Sequence, residues 1–240
     1  MATNELTLDT PDGAMGLYEA TPDGAARGAV IVVQEAFGVN EHIKDVTRRF
    51  AAAGYHAVAP AYFHRAGGGC IDDYDNMDFN EIMKLYTGLT DDTVITDTDA
   101  AIAHLHDAGF GDGQIGIVGF CWGGRVTFLV ALRRALGAGV GFYGGGIASA
   151  GALPFPPLID EAASLQTPWL GLFGDLDAMI PPDSVEALRV ALKDAPVDTE
   201  IVRYPEADHG FHCDARSSYH EPSAKDGWNR ALAWFGARLG

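Results

Sequence analysis

Ile115-Gly116-Ile117-Val118-Gly119-Phe120-Cys121-Trp122-Gly123-Gly124 is the stretch that decides how this chain folds. Its first six residues form a short apolar run bounded by turn signals, the pattern of a strand buried on both faces of a sheet. Helical character follows at once, from Gly123 to Leu136. A strand that turns directly into a helix brings two backbones together, so a Cβ at Gly119 or Gly123 would clash. The residue between them is held in a strained conformation, with its side chain exposed at the end of the sheet. Cys121 also heads a helix, where the dipole favours a thiolate. That reads as a nucleophile; the alternative is a buried thiol beside glycines that merely ease packing.

Working outward, Ala29–Val33, His56–Pro60, Val140–Tyr143, Trp169–Phe173 and Thr199–Tyr204 read as further short strands. Between them lie helical stretches at Asn40–Ala53, capped by Asn40, at Asp91–Asp107, with apolar Val94, Ala101 and Leu105, and at Pro182–Lys193. A last helix spans Ser223–Leu239. Glu5–Thr10 and Ala14–Glu19 alternate around Pro11-Asp12-Gly13 and read as an antiparallel hairpin. This alternation predicts an α/β fold over residues 1–240 as one domain, with a mostly parallel sheet and helices on both faces. Ala61–Asp92 is the least regular segment, either a solvated excursion or a border of the ligand crevice at the sheet's carboxyl end.

Composition narrows the function classes. The 240 residues carry 33 acidic and 16 basic side chains, a formal charge of −17. Such a chain repels nucleic acid and anionic membrane surfaces but leaves room for a small-molecule substrate in a pocket of different local sign. No run approaches the ~20 apolar residues of a spanning helix. Met1–Thr10 has two acids and no basic residue, so no secretory leader is expected, and cytoplasm is the default location. The three cysteines, Cys70, Cys121 and Cys213, are too few and too scattered for a disulfide framework or structural zinc.

A nucleophile at a strand–helix elbow calls for an acid and then a histidine, the α/β-hydrolase order. Trp169–Phe173 leads into Gly174-Asp175-Leu176-Asp177-Ala178-Met179-Ile180-Pro181, where either aspartate could serve. Asp177 is preferred because it lies beyond the strand end, before Ile180-Pro181, whereas Asp175 would naturally bond loop amides or water. Thr199–Tyr204 leads into Pro205-Glu206-Ala207-Asp208-His209-Gly210-Phe211, making His209 the proton carrier. Two backbone N–H groups should form the oxyanion hole, one from Trp122 and one from Ala36, in the loop Gln34–Asn40 where Gly38 allows the turn. His209, His212, Cys213 and Asp214 could suggest a metal, but no second cluster supplies the remaining ligands, and none is expected. His104 and His106, two apart on a helix, face different sides and cannot chelate together.

Taken together, Gln34-Glu35-Ala36-Phe37-Gly38-Val39-Asn40, Gly119 to Gly124, Gly174 to Pro181 and Asp208-His209-Gly210-Phe211 resemble the dienelactone hydrolase family, the carboxymethylenebutenolidases. The resemblance implies Cys121, Asp177 and His209 as triad, and Glu35 in contact with the resting nucleophile, where like-charge repulsion would keep the thiol protonated. It implies hydrolysis of a small enol-lactone or related ester through a thioester, without cofactor, by a monomer or small homo-oligomer. Competing readings are a broader carboxylesterase or thioesterase, and a non-catalytic scaffold of the same fold. Phe37, Phe79, Tyr143 and Arg216 are the expected substrate contacts. In family members acting on dienelactone two arginines hold the substrate carboxylate; Arg216 matches one, and Phe79 stands where the other is expected, with Arg65 or Lys84 as substitutes.

Overall fold

The apolar runs assemble into one eight-stranded sheet in the computed structural model, which describes residues 1–74 and 78–240. In chain order the strands are β1 (Ala2–Thr10), β2 (Gly13–Thr21), β3 (Ala29–Val33), β4 (His56–Pro60), β5 (Ile115–Phe120), β6 (Ala138–Phe142), β7 (Trp169–Gly174) and β8 (Thr199–Tyr204). They lie side by side as β1-β2-β4-β3-β5-β6-β7-β8. β1 and β2 form an antiparallel hairpin, β2 runs antiparallel to β4, and every pairing from β4 to β8 is parallel. This is the expected α/β architecture, a mostly parallel sheet with an antiparallel start.

The helices are α1 (Glu41–Ala52), α2 (Phe79–Leu85), α3 (Asp91–Asp107), α4 (Trp122–Arg133), α5 (Pro182–Ala191) and α6 (Glu221–Gly236). Asn40 caps α1 as expected, its side chain accepting the Ile43 N–H at 3.2 Å. Register shows that both faces of the sheet are covered. Ile117 pairs with Gly139 and Gly139 with Trp169, so Trp169 and Gly116 point to opposite faces. Trp169 donates its indole N–H to Thr127 of α4 at 3.0 Å, whereas Gly116 lies under Phe235 of α6. With helices on both sides, β3, β5, β6 and β7 are wholly buried.

Where boundaries differ from expectation, tertiary contacts explain the clearest case. The helix after Cys121 stops at Arg133 rather than Leu136, whose N–H goes instead to the Thr167 hydroxyl at 2.8 Å. The irregular segment Ala61–Asp92 contains a 3-10 turn at Tyr62–Ala66 and then α2. No helix among the described residues is long and apolar enough to cross a membrane.

The turn from β5 into α4 is as tight as the sequence demands. Cys121 adopts φ 56° and ψ −118°, a left-handed backbone rare outside glycine. A Cβ on Gly119 would stand 2.1 Å from the Gly123 carbonyl oxygen, and one on Gly123 would stand 2.5 Å from that of Gln34. Neither neighbour is a side chain that could move aside. Gly119→Ala is therefore expected to cost about 3 kcal/mol, at the upper end of ordinary overpacking. At about 2–4 °C per kcal/mol for a chain of this size, Tm should fall by roughly 6–12 °C. Gly113, whose added Cβ would meet nothing within 4 Å, is the control. Thermal unfolding of both alanine variants checks this; equal Tm values would show that the close approach is not limiting.

Candidate active site

Cys121 occupies the cap position of α4, where the helix begins without a side-chain cap. The backbone N–H groups of Ala36 and Trp122 donate no hydrogen bond to the described residues. Both residues are nearly buried, at the end of β3 and the start of α4, and Gly123 packs against the Val33 and Gln34 carbonyls that lead into Ala36. The structure thus packs the chain leading into Ala36 against the first turn of α4, which Trp122 opens.

The loop after β7 carries the two aspartates to different places. Asp177 is buried and uses both oxygens: Oδ1 accepts the N–H groups of Met179 at 2.8 Å and Ile180 at 3.2 Å, and Oδ2 accepts His209 Nδ1–H at 2.6 Å. Asp175 instead holds Arg203 in a two-pronged ion pair, 2.7 Å to Nε and 2.9 Å to Nη2, rather than loop amides or water. His209 is buried, and its Nε2 has no hydrogen-bond partner of good geometry. Burial pushes the His209 pKa down, but the neighbouring Cys121 and the bond to Asp177 outweigh it, and the net direction is up. Cys121, Asp177 and His209 are brought together.

Glu35 is fully buried beside the elbow, and its polar partners are Arg216 and Tyr74. Arg216 Nη1 stands 3.6 Å from one carboxylate oxygen, and the Tyr74 hydroxyl donates to the other at 3.4 Å. Cys121 is not among its hydrogen-bond or ion-pair partners in the described residues. Arg216 is no surface arginine. It lies over the rings of Phe37 and Tyr74, at 5.8 and 5.6 Å, and against Gly210, where a Cβ would stand 2.7 Å from its guanidinium.

Cys121 and His209 open onto one cavity of about 230 Å³. Its other walls are Trp122, Arg125, Phe155, Met179 and the loop from Gly145 to Leu153, a lining that is mostly apolar. None of the four expected substrate contacts lines it. Phe79 sits on the first turn of α2, 53% exposed and outside this cavity. Tyr143 is wholly buried beneath the site, its ring 5.1 Å from that of His209. Phe37 supports Arg216, and Arg216 faces Glu35. The substitutes for the missing arginine are also committed. Arg65 bonds Asp12 and Asp97, and Lys84 pairs with Glu81 on the surface.

Sequence reasoning missed Arg125 and the Gly145–Leu153 wall. Arg125 is 2% exposed and holds Asp91 at 2.7 and 3.0 Å, together with the carbonyls of Gly146 and Pro156. The signal was available: one charge in the otherwise apolar run Trp122–Leu132 must find a partner inside. Gly144-Gly145-Gly146, just past β6, marked the loop. The four residues that suggested a metal diverge. His212 stacks on Phe120 with centroids 5.0 Å apart, and Asp214 pairs with Arg49. Cys213 does converge with Glu35 and His42, their ligand atoms within 4.8 Å of one another, but the neighbouring Arg216 guanidinium opposes a cation there.

Comparison with known proteins adds relatives to this geometry. A family model described as the dienelactone hydrolase family matches residues 15–239. A provisionally named carboxymethylenebutenolidase of Methylorubrum extorquens is 39% identical, covering 98% of this chain and 81% of its own. The carboxymethylenebutenolidase of Pseudomonas putida is 27% identical, with 91% and 90% covered. A crystal structure from Klebsiella pneumoniae, provisionally described as a dienelactone hydrolase, superposes with a TM-score of 0.88 at 41% identity, covering 98% of both chains.

The three thiols stand in different surroundings. Cys213 is wholly buried, and its pKa is pushed up to about 12, by burial first and then by Glu35. At pH 8 that leaves roughly one thiolate in ten thousand. Iodoacetamide on the folded protein is expected to modify Cys121 and the exposed Cys70, and Cys213 only after unfolding. Peptide mapping by mass spectrometry reads this directly. Equal labelling of Cys213 and Cys70 in the native state would contradict the environment described.

Proposed function

The chain belongs to the dienelactone hydrolase family and is a hydrolase of the carboxymethylenebutenolidase type, and on that premise we propose that it opens a small lactone or ester through Cys121, His209 and Asp177. The observation that carries this reading is the 2.6 Å bond from His209 to Asp177, with Cys121 and His209 facing one cavity.

In this mechanism Cys121 Sγ attacks the carbonyl carbon while its proton passes to His209 Nε2. The N–H groups of Ala36 and Trp122 take the developing oxyanion. Collapse breaks the ester C–O bond, His209 protonates the leaving oxygen, and a thioester remains on Cys121. Water, deprotonated by His209, then attacks the thioester; the acid leaves and the thiol is restored. Asp177, fixed by the Met179 and Ile180 amides, holds the imidazole in the tautomer whose Nε2 faces the thiol.

Glu35 is engaged by Arg216 as well as lying beside the elbow. With its carboxylate on Arg216, much of its repulsion against a Cys121 thiolate is relieved, and the Arg216 charge is engaged internally. A substrate carboxylate would have to compete with Glu35 for that arginine. The mostly apolar cavity also favours a neutral group, which supports the broader-esterase reading of substrate range.

Cys121→Ala should abolish hydrolysis while leaving the fold intact, and Asp177→Asn should lower kcat by roughly 10³–10⁴-fold. Asp175→Asn should leave kcat within about twofold and cost about 0.5–1 kcal/mol of stability, the worth of a partly exposed pair. Steady-state kinetics with a p-nitrophenyl ester separates the two aspartates; a larger kcat loss in Asp175→Asn would reverse their roles.

Substrate range has its own test. A full bidentate carboxylate contact is worth about 1.5–3 kcal/mol, or roughly ten- to hundredfold in kcat/KM. With Arg216 held by Glu35, the wild type should discriminate by less than about tenfold between a carboxylated lactone and its methyl ester. Arg216→Ala should erase what preference there is. A strong preference for the acid that survives Arg216→Ala would mean another cation binds it.

A further inference from the structure

We propose that Glu19, His56 and His104 form a binding site for a divalent transition-metal ion, zinc being the best match, at the end of the sheet opposite Cys121. Glu19 comes from β2, His56 opens β4 and His104 lies near the end of α3, so side chains from three elements meet at one point. Glu19 Oε1 is 2.8 Å from His56 Nε2 and 2.9 Å from His104 Nε2, and all three ligand atoms lie within 4.8 Å of one another. Two imidazole nitrogens and one carboxylate oxygen suit zinc, cobalt, nickel or copper better than magnesium or calcium. An ion with bonds of about 2.0–2.2 Å spaces tetrahedral ligands roughly 3.3–3.5 Å apart, so small rotations would open the present contacts to that spacing.

Support and access are both present. Asn4, paired with Glu19 across the hairpin, donates its amide N–H to Oε2 at 2.9 Å and turns Oε1 toward the histidines. The carboxylate is buried, while the His56 and His104 side chains are 13% and 24% exposed, so an ion can enter and keep water in the open position. The pairing is invisible in sequence. His104 and His106 do diverge, His106 turning to Asp112, but His104 finds its partner on another strand.

The placement assigns the ion a structural task. β4 and β5 belong to the same parallel run, His56 stands at the start of β4 and Cys121 follows the end of β5, so the ion would be remote from the hydrolytic cavity. It would fasten the N-terminal hairpin to β4 and α3 without entering the reaction. The competing account is a metal-free cluster, in which one carboxylate oxygen accepts an N–H from each imidazole.

The deciding experiment uses untagged full-length protein, stripped with a chelator and titrated with zinc and cobalt by calorimetry and visible absorption. One equivalent is expected to bind, in Cys121→Ala as in the wild type. At a hundredfold excess over Kd, Tm should rise by roughly 5–10 °C. Hydrolysis at one equivalent should stay within about twofold of the metal-free rate. His104→Ala and Glu19→Gln should each weaken binding at least about tenfold, while Cys213→Ser keeps it. His104 is partly exposed on a helix surface, so that variant tests binding even if Glu19→Gln proves unstable. No uptake at millimolar zinc, binding that persists in His104→Ala, or inhibition at one equivalent would overturn the proposal.

Discussion

The carbonyl oxygens of Gln34 and Val33 lie 2.5 and 2.6 Å from where a Cβ on Gly123 would stand, and that of Phe142 lies 2.6 Å from where one on Gly124 would stand. The start of α4 is thus wedged between the carboxyl ends of β3 and β6 while it grows out of β5. Three strand ends and one helix start share a space that admits only backbone. Because β3 ends against Gly123, the loop that follows it delivers Ala36 and Glu35 beside Cys121. Thickening any of these contacts would lift the helix and separate the thiol from the amides that face it. The strain at Cys121, of order 1–3 kcal/mol, is tolerated because the buried strands on either side over-determine its position.

The same end of the molecule shows how a strongly acidic chain disposes of its buried positive charge. Arg125 is taken by Asp91, Arg65 by Asp97 and Asp12, and Arg216 by Glu35. Removing one partner from such a buried pair costs more than the pair contributes, since the remaining ion is left desolvated. These arginines are therefore poor candidates for binding a substrate anion freely. The exception is Arg216, whose 3.6 Å separation from Glu35 is looser than the other contacts, at 2.5–2.8 Å. A carboxylate on a substrate could bind there only by redirecting Glu35.

What could be read from the sequence divides along this line between backbone and long-range packing. Ala29–Val33, His56–Pro60, Ile115–Phe120 and Thr199–Tyr204 keep the boundaries expected of them, because short apolar runs between turn residues have few alternatives. The Cys121, Asp177 and His209 positions followed from chain order, since each lies just past a strand end. The lining of the cavity beside them did not follow. Phe79 was placed by the resemblance, in the irregular segment Ala61–Asp92, where no strand end fixes a position, and it opens α2. The lone charge in Trp122–Leu132 marks Arg125 as needing a partner inside, but its place in the cavity wall depends on how the Gly145–Leu153 loop folds back over α4.

Tyr143 shows how strain and packing meet in one residue. It follows β6 as Cys121 follows β5, and the two strands pair Phe120 with Phe142, so the strained residues stand one step beyond the same rung. The ladder nonetheless continues through both: Cys121 N–H donates to Phe142 at 3.1 Å and Tyr143 N–H to Leu172 at 2.7 Å. Tyr143 has φ 38°, where glycine would be free of strain. Glycine, however, would leave the His209 ring without the aromatic face now 5.1 Å from its centre. A loosely packed His209 would keep its bond to Asp177 only at the cost of rotational freedom, and Nε2 would no longer be aimed by the fold. The backbone strain at Tyr143 is thus the cost of fixing the imaginary line from Asp177 through His209 toward the thiol. It is borne at the strand next to the one that bears the strain at Cys121, so the two distortions stand or fall with the same pair of strands.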